Sequence, residues 1–158
     1  VTFNLTDVGN AERLIDQHGA QIRYARGVGW LSYDGQRYRV DEAALTRRMV
    51  ATVRSIYEEA ARSESEARRK ALAAHAARSE QDARIRGALR LASTFADIQA
   101  DADDFDAEPG IVNVTNGILE LETGTLRPHD PAVLVTRLAP VEWNPDAEAP
   151  IWQGCLEY

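Results

Sequence analysis

Cysteine is nearly missing from this chain: among 158 residues only Cys155 carries a thiol. A single thiol excludes an internal disulfide and a cysteine-rich zinc site, and it fits a reducing compartment, so the cytoplasm is the expected location. Also missing is any run of about 18 apolar residues, and the opening VTFNLTDVGN lacks the basic-then-apolar plan of a secretory signal. No membrane partner is expected. There is no initiator Met and the closing WQGCLEY is partly apolar, so the chain reads as a module excised from something longer. His18, His75 and His129 have no ligand-like spacing, and each is expected to be a surface or packing residue. No Gly-x-Ser-x-Gly elbow supports serine hydrolysis, although composition alone leaves Ser-His-Asp chemistry open.

What is present suits a folded domain. Hydrophobic residues make up 44% and charged residues 27%, near globular averages, and the length allows a real core without a metal or disulfide staple. The net charge of −7 argues against a generic DNA-coating protein, yet its distribution is uneven. Residues 1–42 sum to −1, residues 43–98 to +4, and residues 99–158 to −10. One segment suits a polyanion and another repels it.

Local patterns predict an α+β domain. Thr6 or Asp7 caps a helix over about residues 8–18, and Gly19 is placed to end it. QIRYARGVGWLSYDGQRYRV reads as short strands, with Asp34-Gly35 favouring a tight hairpin. Asp41 caps a long helix whose stripe is Leu45, Met49, Val53, Ile56 and Ala60, a spacing that fits a helix and no strand. The Ala- and Arg-rich stretch that follows is helical by propensity, with capping signals at Ser63/Glu66 and Ser79/Asp82 that predict breaks near 63 and 79. A further helix carries Ile85, Leu89, Ala92, Phe95 and Ala96 on one face and ends before DADDFDAEPG. After Pro109, alternation and the Asn116-Gly117 and Thr123-Gly124 turns predict a small antiparallel β-element, which should pack back on the hairpin or helices. Residues 131–143 offer one more strand, and residues 144–158 read as a connector that opens rich in Pro and acid.

Gly27-Val28-Gly29 is a poor phosphate loop, because the third glycine of a dinucleotide fingerprint and the Gly-Lys-Ser/Thr of a P-loop are both missing. Two readings of the hairpin then stay open. In one, Trp30 and Tyr33 pack on the core; in the other, Arg23, Arg26, Arg37 and Arg39 meet phosphates while Trp30 stacks on a base. The middle helices supply a second basic surface that includes Arg47 and Arg54, and a mixed-charge solvated or subunit-facing surface has the same pattern. The acids Asp101, Asp103, Asp104, Asp106 and Glu108 match no calcium hand, lacking its glycine and its final Glu, and read as a solvated loop. No catalytic, cofactor-binding or metal-binding residue is assigned.

Four strings in order, TDVGNAERLIDQHG, IRYARGVGWLSYDGQRYRVDE, an Ile-Tyr-Glu-Glu-Ala helix end and FDAEPGIVNVTNGILELETGTLRPHDP, carry a resemblance. Together they resemble the domain that directly precedes the superfamily 3 helicase in phage, plasmid and poxvirus primase-helicases. The resemblance implies a replication module over residues 1–143, linking an upstream primase to a downstream ring-forming helicase, with residues 144–158 leading toward that helicase. It implies partners of DNA, single-stranded or forked, of the adjoining primase and helicase domains, and of further copies of the chain. ATP and Mg²⁺ are implied only for the helicase, whose Gly-Lys-Ser loop this chain lacks, and the family pattern supplies no catalytic residue here. Where the family often has Trp, Tyr38 stands, and an aromatic in its place preserves a packing role. A metal-dependent primase-polymerase fragment using Asp104 and Asp106 is the rival expectation, and a structural spacer without DNA contact is another.

Overall fold

The computed structural model describes residues 2–148; Cys155 and the string PIWQGCLEY, read above as leading toward the helicase, lie outside the described residues. The architecture is α+β, as the sequence pattern implies. Helix α1 (Asp7–His18) opens where the Thr6 hydroxyl accepts from the Gly9 amide at 3.1 Å. The preceding segment folds so tightly against α1 that a Cβ on Gly9 would sit 1.9 Å from the Asn4 carbonyl oxygen, so only glycine fits there. Gly19 follows the helix in right-handed conformation and starts a short 3₁₀ turn, so it ends α1 without the left-handed cap that glycine usually supplies.

Strands β1 (Ile22–Ala25), β2 (Gly29–Tyr33) and β3 (Tyr38–Val40) form an antiparallel meander. Gly27 and Gly29 turn the chain between β1 and β2, at φ of 82° and 100°, so the glycine pair serves a turn. Between β2 and β3 the chain makes the tight turn expected at Asp34-Gly35: the Asp34 amide donates to the Arg37 carbonyl at 3.0 Å, and Gly35 has φ 105°. The Asp34 carboxylate accepts from the Gln36 and Arg37 amides, both at 3.0 Å, and holds that turn. Helix α2 (Glu42–Ala61) starts where Asp41 accepts from the Ala44 amide at 2.7 Å, and all five stripe residues are buried.

Helices α3 (Glu66–Ser79) and α4 (Asp82–Ala92) break near 63 and 79, as expected, but with other capping groups. Ser65, not Ser63, caps α3; Ser79 is the buried last residue of α3, and Gln81 precedes α4 without a side-chain cap. Because α4 ends at Ala92, Phe95 and Ala96 lie beyond the helix that was to carry them. Strand β4 (Gln99–Ala100), which the sequence did not suggest, then pairs parallel with β1 and completes the sheet order β3-β2-β1-β4.

Strand alternation assigns the two faces of this sheet. Ile22 and Trp30 point toward the helices and join Ala11, Leu14, Leu45, Met49, Val53 and Ile98 in the main core. Ala25, Leu31, Tyr33 and Tyr38 point the other way, against Phe105 and Leu134. One buried cation ties the helices together: Arg13, 1% exposed, donates to Glu59 of α2 and to the Asn4 and Gly9 carbonyls. The Phe3 ring lies 5.0 Å from its guanidinium carbon.

The second sheet, β5 (Ile111–Val114), β6 (Gly117–Glu120) and β7 (Thr125–Arg127), packs back on the hairpin. Asn113 donates to the Gln36 and Arg137 carbonyls, and Gln36 donates to the Thr115 carbonyl. Residues 131–143 do not form the expected strand. They pass from one sheet edge to the other: the Tyr38 amide donates to Val135 O, and further on the Ala139 amide donates to Asn113 O, so neither ladder propagates. Among the described residues no helix is long and apolar enough to cross a membrane.

Candidate nucleic-acid interface

The seven residues proposed from sequence do not form one surface. Arg23 and Arg39 project from opposite faces of the sheet, because Arg23 pairs with Leu31 while Arg39 pairs with Ser32, one residue further along β2. Arg23 is half-buried over the Tyr38 ring at 5.7 Å and donates to the Gly19 and Ile22 carbonyls. Arg37 donates to the Thr136 carbonyl at 3.3 Å, fastening the hairpin loop to the C-terminal segment. Trp30, 9% exposed, is a core residue whose ring meets Tyr24 edge-on at 5.2 Å, which corrects its reading as an exposed stacking platform. Arg47 and Arg54 share the exposed side of α2, with Asp41 3.9 Å from the first and Glu80 3.4 Å from the second.

Charge pairing separates the arginines further. Arg62, Lys70, Arg84 and Arg86 each have a carboxylate partner. Among the described residues Arg26, Arg39, Arg78 and Arg90 make neither an ion pair nor a side-chain hydrogen bond.

Two of these four line adjoining clefts. A cleft of about 600 Å³ is lined by Tyr24, Arg26, Ser93, Thr94, Gln99 and Asp101, with Asp104 at its side. A second, of about 530 Å³, lies between the hairpin, the start of α2 and α4, and includes Tyr24, Trp30, Leu45, Arg86, Arg90 and Ser93. Tyr24 and Ser93 belong to both, so the clefts adjoin at these residues. Arg90 was one arginine among many in the sequence, and Tyr24 was not singled out. The signal for Tyr24 lies in the hairpin register: once the turn occupies 26–28, Tyr24 must stand opposite Trp30.

The acidic run forms a tight loop. The Asp101 amide donates to the Asp104 carboxylate at 2.7 Å, and Asp106, at φ 55°, accepts from the Thr136 amide at 2.8 Å and from its hydroxyl. Among the described residues no three His, Cys, Asp or Glu side chains gather into a metal-holding group.

His75 is a packing residue, 4% exposed, in a polar cluster with Asn10 and Ser79. Its Nε2 lies 2.9 Å from Asn10 Oδ1 and 3.3 Å from Ser79 Oγ. Both partners use the same ring nitrogen, so the cluster lacks the relay geometry of a triad, in which nucleophile and orienting group sit on opposite nitrogens. Burial, helped by the nearby Arg13 charge, holds His75 below its ordinary pKa, and burial with Arg48 does the same to His18.

The chain is an α+β body whose residues 43–98 carry a net charge of +4 and whose run 101–108 is acidic. Residues 11–157 match the family model described as D5 N terminal like, so the chain belongs to that family, the N-terminal domain of D5-like primase-helicases of phage, plasmid and poxvirus type. No curated protein matches the chain.

Proposed function

We propose that the chain is the replication module that couples a primase to a superfamily 3 helicase, and that it contacts DNA through its helical side. The observation that carries this reading is the segregation of charge in a chain of this family. Residues 43–98, which supply α2, α3 and α4, sum to +4, whereas residues 99–158 sum to −10. A polyanion approaching such a body is drawn to the helical layer and repelled by the acidic run of residues 101–108. Arg26, Arg39, Arg78 and Arg90 are exposed and available to phosphates on this reading, and Arg47 and Arg54 join them by exchanging Asp41 and Glu80 for phosphate. Arg23 and Arg37 serve the fold. ATP and Mg²⁺ act in the helicase, and Asp104 and Asp106 hold their loop without taking part in chemistry.

Fluorescence anisotropy of the 158-residue chain with a labelled fork across a salt series tests the DNA contact. Binding at low salt that weakens steeply as salt rises is expected, since each neutralised phosphate releases counterions. Flat, absent binding at low salt overturns the DNA contact and leaves a spacer. Self-association belongs to the same reading, and sedimentation of the chain with and without the fork measures it.

A further inference from the structure

We propose that residues Phe3–Leu5 form a strap that holds α3 on the body of the protein, so that displacing the strap releases α3. The inference deepens the coupling reading above and rests on it for its use: a primase joined ahead of the strap acts through it on α3, whose Arg68, Arg69, Lys70 and Arg78 belong to the basic helical layer.

Helix α3 has little of its own to hold it. Among its buried residues, Leu72, His75, Ala76 and Ser79, only Leu72 is a large apolar side chain, whereas α2 buries Leu45, Met49, Val53 and Ile56. An element with so few buried apolar contacts opens locally before the rest of a protein does. Its attachments lead back to the start of the chain as well as to α2. Leu72 and Ala76 meet Ile56 and Ala60 in a small apolar cluster, and Leu5 of the strap packs against that same cluster. Further along α3, Asn10 donates to the Ser79 hydroxyl at 2.9 Å and its Oδ1 lies 2.9 Å from His75 Nε2.

The strap is seated by contacts of its own. The Asn4 carbonyl accepts from Arg13 at 3.1 Å, and the Phe3 ring lies over the same guanidinium. Arg13 makes two bonds to one carboxylate oxygen of Glu59 in α2, and the other oxygen lies 3.6 Å from Arg68 of α3. Contacts therefore run from the strap through α1 and α2 to α3. Gly9 governs how closely the strap lies, because it sits inside α1 without a positive φ and only the Asn4 backbone excludes a side chain from it.

Amide hydrogen exchange in the 158-residue chain tests the strap, with Gly9→Ala as the first variant. Alanine is the better helix former, so propensity alone would steady α1, but the added methyl meets the Asn4 carbonyl and displaces the strap. Amides of α3 should then exchange about tenfold faster or more, while those of β1 and β2 change less than about twofold. Leu5→Ala should have the same effect with α1 unaltered, and Val8→Ala, at an exposed position of α1, should leave α3 as it is. A second arm uses reciprocity, since a coupling acts equally in both directions. Leu72→Ala should raise the mobility of a spin label placed at Thr2→Cys in a Cys155→Ser background, and Leu121→Ala, exposed just past β6, should not. Unmoved α3 amides in both Gly9→Ala and Leu5→Ala, acceleration shared equally by β1 and β2, or a label indifferent to Leu72→Ala overturns the strap. Neither readout involves DNA or a primase, so absent fork binding removes the DNA contact alone and an unmoved α3 removes this inference alone.

Discussion

On the helical side of the four-stranded sheet, Leu14, Ile22, Trp30, Met49, Val53 and Ile98 meet in one continuous apolar core, while the three-stranded sheet buries little beyond Val114, Ile118 and Leu119. The helical side is held by apolar area, which is non-directional and roughly additive. The smaller sheet is fastened by particular bonds: Asn113 to two carbonyls and Gln36 to Thr115. Each such bond is worth little net but is costly to break, because its partner is left without water or protein. Loss of area should therefore weaken the whole molecule, and loss of one polar link should loosen one region.

The largest effect is expected at Met49, fully buried at the centre of α2. Met49→Ala should cost about 2–5 kcal/mol, read as a lower urea midpoint with helical and aromatic signals moving together. Asn113→Ala should cost about 1–3 kcal/mol by leaving the Gln36 and Arg137 carbonyls without a donor. Its signature is local: amide exchange should quicken over residues 111–141 and stay unchanged in α2. Equal acceleration in α2 would break the comparison and make the two regions one cooperative unit.

The smallest effect is a pH dependence lodged on the helical side. His75 and His18 have folded pKa values lowered from an ordinary value of about 6.5. Above that value both states are neutral and stability is unaffected; as pH falls below it the unfolded chain takes up protons that the folded chain resists, so stability declines until the folded pKa is reached. Each histidine contributes a slope of at most about 1.4 kcal/mol per pH unit. Replacing the ring by His75→Gln should remove its share and leave that of His18, as measured by urea midpoints at several pH values. An unchanged slope would place the titration elsewhere.

Long amphipathic elements were legible from sequence because their signal is repeated. All five apolar stripe positions of α2 are buried, and the Asp41 cap adds an independent mark at its start. Single-residue signals fared worse, since one side chain has several possible partners. Ser79 looks like a cap beside Asp82, yet Asn10 and His75 engage it from within the core. Residues 131–143 alternate as a strand does, but their hydrogen bonds are divided between two sheet edges, which no local pattern records. The same limit applies to the candidate interface: adjacency in sequence grouped Arg23 with Arg39, and one step of strand register set them on opposite faces. Tyr24 and Arg90, far apart in the chain, line one cleft because α4 packs beside the hairpin.

The parallel pairing of β4 with β1 places Gln99 opposite Tyr24, with three helices between them in the chain. During synthesis the hairpin therefore leaves the ribosome long before its parallel neighbour exists, and the β1 edge stays open until α4 has docked. Sheet closure belongs late in the folding reaction, since this contact carries a large loop-closure cost and is stabilised only by the helices already in place. The wall shared by the two clefts, Tyr24 on one side and Ser93 on the other, comes together in that same late step. A newly made chain thus acquires these clefts only once the whole helical layer has assembled.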